Sequence, residues 1–308
     1  MHDLISRRSF LRASAAFAAA PLAAAPLEAA PLDVKDRRVV RDRKCKKAVK
    51  IGMVKHDGSL KDKFALLRGL GFDGVELDSP NGLALDEVIA ARDETGLSIP
   101  GVVDSVHWGK PFSHPDPKVR AEGVAALEQA LRDAKAYGAS SVLVVPGVVN
   151  KSIAYADAYR RSQEEIKKVL PLANELKVRI AFENVWNEFL LSPLEMARYV
   201  DEFGDPLVGV HLDPGNLVRY GWPEHWIEVL GRRIFKLDVK DYSRKKQVEE
   251  GLWKGFDVEI GDGDTDWPAV MKALDAIGYE GWFAAEVGGG GEDRLRDIAA
   301  RMDKIFAS

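Results

Sequence analysis

The chain has 308 residues, 46% of them hydrophobic and 30% charged, with a formal net charge of −4. This is the balance of a globular chain with ample length for a core, and it excludes collagen-like, disordered and multi-span membrane classes. A single cysteine, Cys45, excludes a disulfide scaffold, and the mild acidity gives no support for nucleic-acid binding.

The chain opens with Ser6-Arg7-Arg8-Ser9-Phe10-Leu11-Arg12, followed by an alanine-rich run from Ala13 to Ala25. A charged start, a short apolar middle and small residues near its end read as a secretory signal over residues 1–30. The run is too short for a membrane span, which needs about 20 apolar residues. The paired arginines resemble the twin-arginine type of signal. That resemblance implies a partner, the twin-arginine export machinery, and a protein that folds before it is exported. The expected destination is the periplasm or the outside, with retention by an uncleaved signal as an alternative. Residues 31–50 carry nine Lys/Arg against Asp33, Asp36 and Asp42 with little apolar periodicity, and they read as a charged linker.

Residues 51–308 are the length of one (β/α)8 barrel, which is typically about 250 residues. Eight short apolar strands are predicted at Ile51–Val54, Gly74–Leu77, Ile99–Val106, Ser141–Val145, Arg179–Glu183, Val208–Asp213, Ile234–Val239 and Trp282–Val287. Amphipathic helical stretches fill most of the gaps, and strict alternation argues for a parallel sheet. Ser192-Pro193-Leu194-Glu195 marks a helix start, with a capping serine, a first-turn proline and a capping-box glutamate. Gly71, Gly96 and Gly138 follow periodic stretches, where a left-handed C-cap favours glycine. No Gly-x-Gly-x-x-Gly follows the first strand, which argues against a dinucleotide site. The predicted fold class is α/β, a single (β/α)8 TIM barrel.

Carboxylates gather at the predicted strand C-termini, where a barrel enzyme keeps its site. Strand two ends with Glu76 and Asp78, strand five with Glu183, strand six with His211 and Asp213, strand seven with Asp238, and strand eight with Glu286. Alternation puts His211 and Asp213 on one face. So many buried carboxylates cannot stay unpaired, because an isolated buried charge costs several kcal/mol or more, and a divalent cation is an economical partner.

The stretches Ala181-Phe-Glu-Asn184, Val210-His-Leu-Asp-Pro-Gly-Asn216, Leu237-Asp-Val-Lys-Asp241, Ile260-Gly-Asp-Gly263 and Gly281-Trp-Phe-Ala-Ala-Glu286 resemble the xylose isomerase-like TIM-barrel superfamily of sugar isomerases and epimerases. The resemblance spans about residues 50–305. It implies one divalent metal held by Glu183, Asp213, position 238 and Glu286. The superfamily usually has histidine at position 238, where this chain has Asp238. Two readings of Asp238 stand: a fourth metal ligand, or a partner of Lys236 or Lys240 in an altered site. Four carboxylates make a hard oxygen site, suited to Mn²⁺ or Mg²⁺, with Co²⁺ and Zn²⁺ as further options.

A metal that chelates a carbonyl and the adjacent hydroxyl acts as a Lewis acid and stabilises an enediolate. By resemblance Glu183 and Glu286 are the acid/base pair that moves the proton. Substrate contacts are expected from Glu76, His107, His211, Asn216 and Arg244. Trp108, Trp186 and Trp253 are the sort of rings on which sugars stack, although packing is the commoner role. The long segment from Tyr242 to Asp266 reads as a cover over the site. The expected function is a metal-dependent sugar isomerase or epimerase. The alternatives are a lyase or dehydratase acting on a keto-sugar, inosose or 3-keto-glycoside, and a non-catalytic sugar-binding barrel. The expected partner is a small sugar or keto-sugar, and a homo-oligomer is left open.

Overall fold

The computed structural model describes residues 43–308. The signal-like segment and residues 31–42 of the expected linker lie outside the described residues. Eight parallel strands close into a barrel in sequence order: β1 (Cys45–Lys50), β2 (Gly74–Ser79), β3 (Gly101–Asp104), β4 (Ser141–Val144), β5 (Arg179–Glu183), β6 (Val208–Leu212), β7 (Ile234–Val239) and β8 (Gly281–Ala285). The barrel closes through β1, where Val49 pairs with Val75 of β2 and with Ala285 of β8.

The first strand corrects the expectation. Ile51–Met53 is a 3-10 turn, and the strand lies in the stretch read as linker, at Cys45–Lys50. Its pattern hides it, because only Ala48 and Val49 are fully buried apolar residues there. Its lysines are satisfied one by one. Lys46 lies over the Trp282 ring, Lys47 pairs with Asp303 at 2.7 Å, and Lys50 reaches Glu76 at 2.7 Å. A lysine stem can cover apolar surface while its charge finds a partner, so a lysine-rich run can still be a strand.

The helix signals act as their chemistry requires. The Ser192 side chain accepts from the Glu195 backbone N–H at 3.2 Å and caps the helix Pro193–Asp201. The expected capping box is not formed: the Glu195 carboxylate accepts from the Leu191 N–H and the Tyr155 hydroxyl instead of the Ser192 N–H, so the cap is one-sided. Gly96 and Gly138 close their helices at φ 66° and 80°, a region that costs glycine little. Between helices and strands lies an apolar layer that includes Phe64, Leu67, Leu127 and Met302, all fully buried. Burial on this scale, at about 25 cal/mol per Å² of apolar surface, is what holds the strand ends in register for the site.

Candidate active site

β7 sets the layout. Its residues two apart face the barrel interior, which stacks Lys236, Asp238 and Lys240 from the middle of the barrel towards its C-terminal mouth. The same alternation brings Glu76 and Asp78 inward from β2. On the neighbouring strand Gly101 leaves the space that Lys236 and Glu76 fill, and a Cβ there would collide with both side chains.

The carboxylates of the lower layer are each paired with a lysine. Lys50 Nζ lies 2.7 Å from Glu76 Oε2 and 2.9 Å from Asp238 Oδ1. Lys236 Nζ lies 3.1 Å from Glu76 Oε1 and also donates to the Pro100 carbonyl. His211 Nε2 meets Asp238 Oδ1 at 2.9 Å. Burial alone would push both carboxyls up, but Lys50 and Lys236 hold Glu76 well below its ordinary value, and His211 and Lys50 hold Asp238 below its own.

The upper layer is not balanced. Glu183 ends β5, Asp213 caps the helix Pro214–Val218, and Glu286 follows β8. Asp213 Oδ1 accepts from the Asn216 N–H at 3.1 Å, while Asn184 clamps the Asp213 backbone by donating to its carbonyl at 2.7 Å and accepting from its N–H at 2.8 Å. Asn216 Nδ2 holds Glu183 Oε1 at 3.3 Å. Lys240 Nζ is the one ammonium here, 2.9 Å from Asp213 Oδ2 and 2.5 Å from Glu286 Oε2. Burial first, then Glu286 and Asp238, pushes the Glu183 carboxyl well above its ordinary value, and burial also raises Asp213.

Glu183, Asp213, Asp238 and Glu286 each offer a ligand atom within 4.8 Å of one another. Glu76 and Asp238 are neutralised by Lys50 and Lys236. Lys240 pairs with Asp213 and Glu286, and Lys50 acts on Glu286 as well; counted as fully ionised, the five carboxylates of the two layers face three ammonium groups, which leaves two negative charges, the amount one divalent cation supplies. Asp238 Oδ2 is buried and accepts no hydrogen bond. Hard oxygen donors, a deficit of two positive charges and an open carboxylate oxygen fit a divalent cation of the Mg²⁺ or Mn²⁺ kind.

A cavity of about 460 Å³ opens above this layer, lined among others by Asp78, His107, Glu183, Asn216, Lys240 and Glu286. Trp108, Trp186, Trp253 and Phe256 complete its wall. Trp186 is fixed by its Nε1 bond to the Asn216 carbonyl at 2.9 Å and by Phe256 at a centroid distance of 4.8 Å. The long segment after β7 forms the helix Arg244–Glu250 and the turn Leu252–Phe256, which carries Trp253 and Phe256 to the cavity. Asp241 anchors its far end by accepting from the N–H groups of Gly261 at 2.9 Å and Thr265 at 3.0 Å. A second cavity of about 490 Å³ lies near Leu97, Pro100 and Tyr137, away from the strand C-termini and from the acidic cluster.

The expected site residues therefore separate into groups. Glu183, Asp213, Asp238 and Glu286 converge. His107 and Asn216 line the cavity, and burial pushes the His107 imidazole down to about 4. Glu76 and His211, expected as substrate contacts, belong to the paired layer below and do not line the cavity. Arg244, also expected to contact substrate, is engaged elsewhere. It donates to the carbonyls of Val218 and Gly221, both at 2.8 Å, and lies over Trp222 outside the cavity wall. Asp238 takes its cation from Lys50 rather than from Lys236 or Lys240. Lys50 and Lys240 were missing from the expected set. The two-residue period on β7 could have flagged Lys240, whereas no pattern in the chain flagged Lys50.

The family profile described as xylose isomerase-like TIM barrel matches residues 64–305. The chain is 26% identical over 243 residues to the putative L-ribulose-5-phosphate 3-epimerase SgbU of Escherichia coli strain K12, covering 75% of this chain and 84% of that one. It is 25% identical over 259 residues to the L-ribulose-5-phosphate 3-epimerase UlaE of Escherichia coli O1:K1 / APEC, covering 80% and 88%. Among solved structures, a D-tagatose 3-epimerase-like protein superposes with a TM-score of 0.70 at 18% identity, covering 85% of this chain and 96% of that one. The 3-keto-D-glucoside 4-epimerase YcjR from E. coli, in its apo form, superposes with a TM-score of 0.68 at 15% identity, covering 86% and 100%. These two likenesses show the shared fold.

Proposed function

The chain belongs to the xylose isomerase-like TIM-barrel family, and from that premise we propose that it is a divalent-metal-dependent epimerase or isomerase of an unphosphorylated sugar. The observation that carries the proposal is the upper carboxylate layer, two positive charges short, at the floor of a cavity of about 460 Å³. Relatives named as sugar epimerases support the reaction class. Glu183, Asp213, Asp238 and Glu286 would hold the ion, and when bound it supplies Lewis-acid polarisation of a carbonyl and its neighbouring hydroxyl.

The remaining work falls to side chains of this protein. Glu183 and Glu286 reach the cavity from separate strands, so one can take a proton from the carbon beside the carbonyl and the other can return one. Asn216 holds the Oε1 atom of Glu183 and so sets the direction of its carboxylate. Lys240 steadies Glu286. His107, neutral at ordinary pH, offers an uncharged ring to a sugar hydroxyl. Trp186, Trp253 and Phe256 present faces on which a sugar ring can lie and keep water off the reacting carbon.

The curated relatives named above act on phosphates, yet the described cavity wall holds no arginine, and Lys240 is already shared by two carboxylates. A neutral ketose or glycoside suits that wall better than a phosphate ester. Export, proposed from Arg7 and Arg8, would favour the same class.

The test is metal content and hydrogen exchange on the full-length chain beside a Glu183→Ala, Glu286→Ala variant. About one Mn²⁺ per wild-type chain is expected, together with deuterium uptake from D₂O into D-tagatose, D-fructose or a 3-keto-glucoside, and both should vanish in the variant. A wild-type chain that takes up no divalent cation sinks the proposal. Export is tested separately, by cell fractionation of the chain with and without Arg7→Lys and Arg8→Lys.

A further inference from the structure

Two groups of possible metal ligands share Asp238. One is the upper set, and the other is Glu76, His211 and Asp238, whose ligand atoms also lie within 4.8 Å of one another. The lower group is already filled, and by the protein itself. Lys50 Nζ stands 2.7 Å from Glu76 Oε2 and 2.9 Å from Asp238 Oδ1, bridging the two carboxylates as an ion would. Lys236 neutralises the other oxygen of Glu76. With two ammonium groups against two carboxylates, the lower layer has no charge left for a metal to balance.

The bridge has a consequence at Asp238. Its Oδ1 receives both Lys50 and His211, each at 2.9 Å, while its Oδ2 is buried without a hydrogen bond. The two oxygens of one carboxylate are thereby given different tasks. We propose that Lys50 is a built-in cation that stands in for a second metal ion and, by saturating Oδ1 of Asp238, reserves Oδ2 for the ion held with Glu183, Asp213 and Glu286. The site is mononuclear because of this lysine. An ammonium neutralises the carboxylates without Lewis acidity and cannot be lost to a chelator, so the lower layer stays in place whether or not the upper ion is bound. Lys50 is a positioning residue, because it acts through Asp238 and does not line the cavity.

Only the part concerning the upper ion rests on the proposed function. The filling of the lower group by Lys50 stands on the ion pairs alone, and the experiment separates the two. Full-length wild type, Lys50→Ala and Lys50→Met are loaded with Mn²⁺ and desalted. Bound manganese is counted by elemental mass spectrometry and its spectrum recorded by electron paramagnetic resonance. Wild type should hold about one ion with the spectrum of an isolated Mn²⁺. Lys50→Ala opens the lower group and should hold about two, with the spectrum of a spin-coupled pair. Lys50→Met keeps the stem and loses the charge. It should hold one ion at an affinity lower by about ten- to hundred-fold, the usual cost of losing a group that orients a metal ligand.

A folded Lys50→Ala chain that binds one ion as tightly as wild type overturns the proposal, and so does a wild type that binds two. A wild type that binds none while Lys50→Ala gains one sinks the proposed function and the reservation of Oδ2, and leaves the filling of the lower group by Lys50 standing. No ion in either chain sinks both. If Lys50→Ala does not fold, the pair Lys50→Met with Glu76→Gln removes one charge of each sign. That variant should still bind one ion, weakly, and wild-type affinity there overturns the proposal.

Discussion

The two halves of the barrel meet at one cavity and bring opposite electrostatics to it. β5 to β8 supply Glu183, Asp213, Asp238 and Glu286, and outside Asp238 they leave two charges unbalanced. β1 to β4 supply Lys50, Glu76 and the end of β3, where charges are either paired or pushed towards neutrality. The difference teaches where to look for chemistry in a barrel of this kind. A carboxylate whose two oxygens are both taken by lysines, as in Glu76, has lost its call on a metal, and one that keeps an oxygen free of lysine at a cavity floor retains it. The sharpest way to break the comparison is to make the unmatched carboxylates neutral. Glu183→Gln and Glu286→Gln should each lower the rate of deuterium exchange by about 10²–10⁴-fold, the usual worth of a positioned acid or base. Circular dichroism and melting should change little. Retained exchange in both variants would falsify the assignment of chemistry to this half.

The paired layer, which joins Lys50 and Glu76 of β1 and β2 to Lys236 and Asp238 of β7, should answer to mutation in the opposite way, through stability. Lys236 is fully buried and bonded to Glu76 and to the Pro100 carbonyl. Lys236→Met removes one charge of a balanced layer and leaves the other side with an excess. Breaking a buried pair from one side costs about 3–5 kcal/mol, so the urea midpoint should fall steeply. Adding Glu76→Gln to Lys236→Met should recover part of the loss, because it removes the stranded charge as well. A double variant as unstable as the single one would show that the layer is held by packing and not by charge.

The same contrast explains what could be read from the chain. Seven of the eight strands announce themselves as short apolar runs, and the carboxylates of β5 to β8 stand in recognisable phrases at their ends. β1 was hidden because its partners are far away in sequence. Lys47 is satisfied by Asp303 and Lys50 by Glu76 and Asp238, and no local pattern reveals a lysine that will be paired across a barrel. Arg244 is a related case. Its position six residues after Asp238 is legible, but the bonds that turn it to the carbonyls of Val218 and Gly221 come from another loop. Spacing along one strand transmits which residues share a face. It does not transmit which charges meet, and the balance of charge decides which of these residues hold a cation and which hold each other.

Asp104, at the end of β3, extends the comparison to pH. Burial lifts its carboxyl from an ordinary value near 3.8 to about 7, with one bond from the Val106 N–H pulling the other way, and its Oδ2 has no hydrogen bond. Between those two pH values the folded chain holds a proton that the unfolded chain has released. This contribution to stability is therefore full below about pH 4, declines as pH rises through 7 and is absent above it. Asp104→Asn stays neutral throughout. It should be more stable than wild type by roughly 4 kcal/mol at pH 8, with the gap closing towards pH 4. Urea melts of both chains across that range measure the gap, and a gap that does not change with pH would place the origin of the effect elsewhere.

The smallest effect belongs to the rim of the cavity, where neither half contributes charge. Trp253 is 68% exposed, yet it lines the cavity and packs at 5.0 Å from Trp186, whose own indole is tied to the Asn216 carbonyl. Large aromatic rings left open to solvent beside a cavity are poor contributors to folding, because little of their area is buried. Their contribution is made when something lies on them. A sugar ring stacked on Trp253 gains the same contact in the ground state and in the transition state, so its loss should raise KM and leave kcat nearly unchanged. Aromatic contacts of this kind contribute about 0.5–1.5 kcal/mol, which sets the expected rise in KM for Trp253→Ala at roughly three- to ten-fold. Trp253→Phe should recover most of it. A fall in kcat with KM unchanged would instead make the segment after β7 part of the chemistry, and the division between a reactive floor and a binding rim would have to be redrawn.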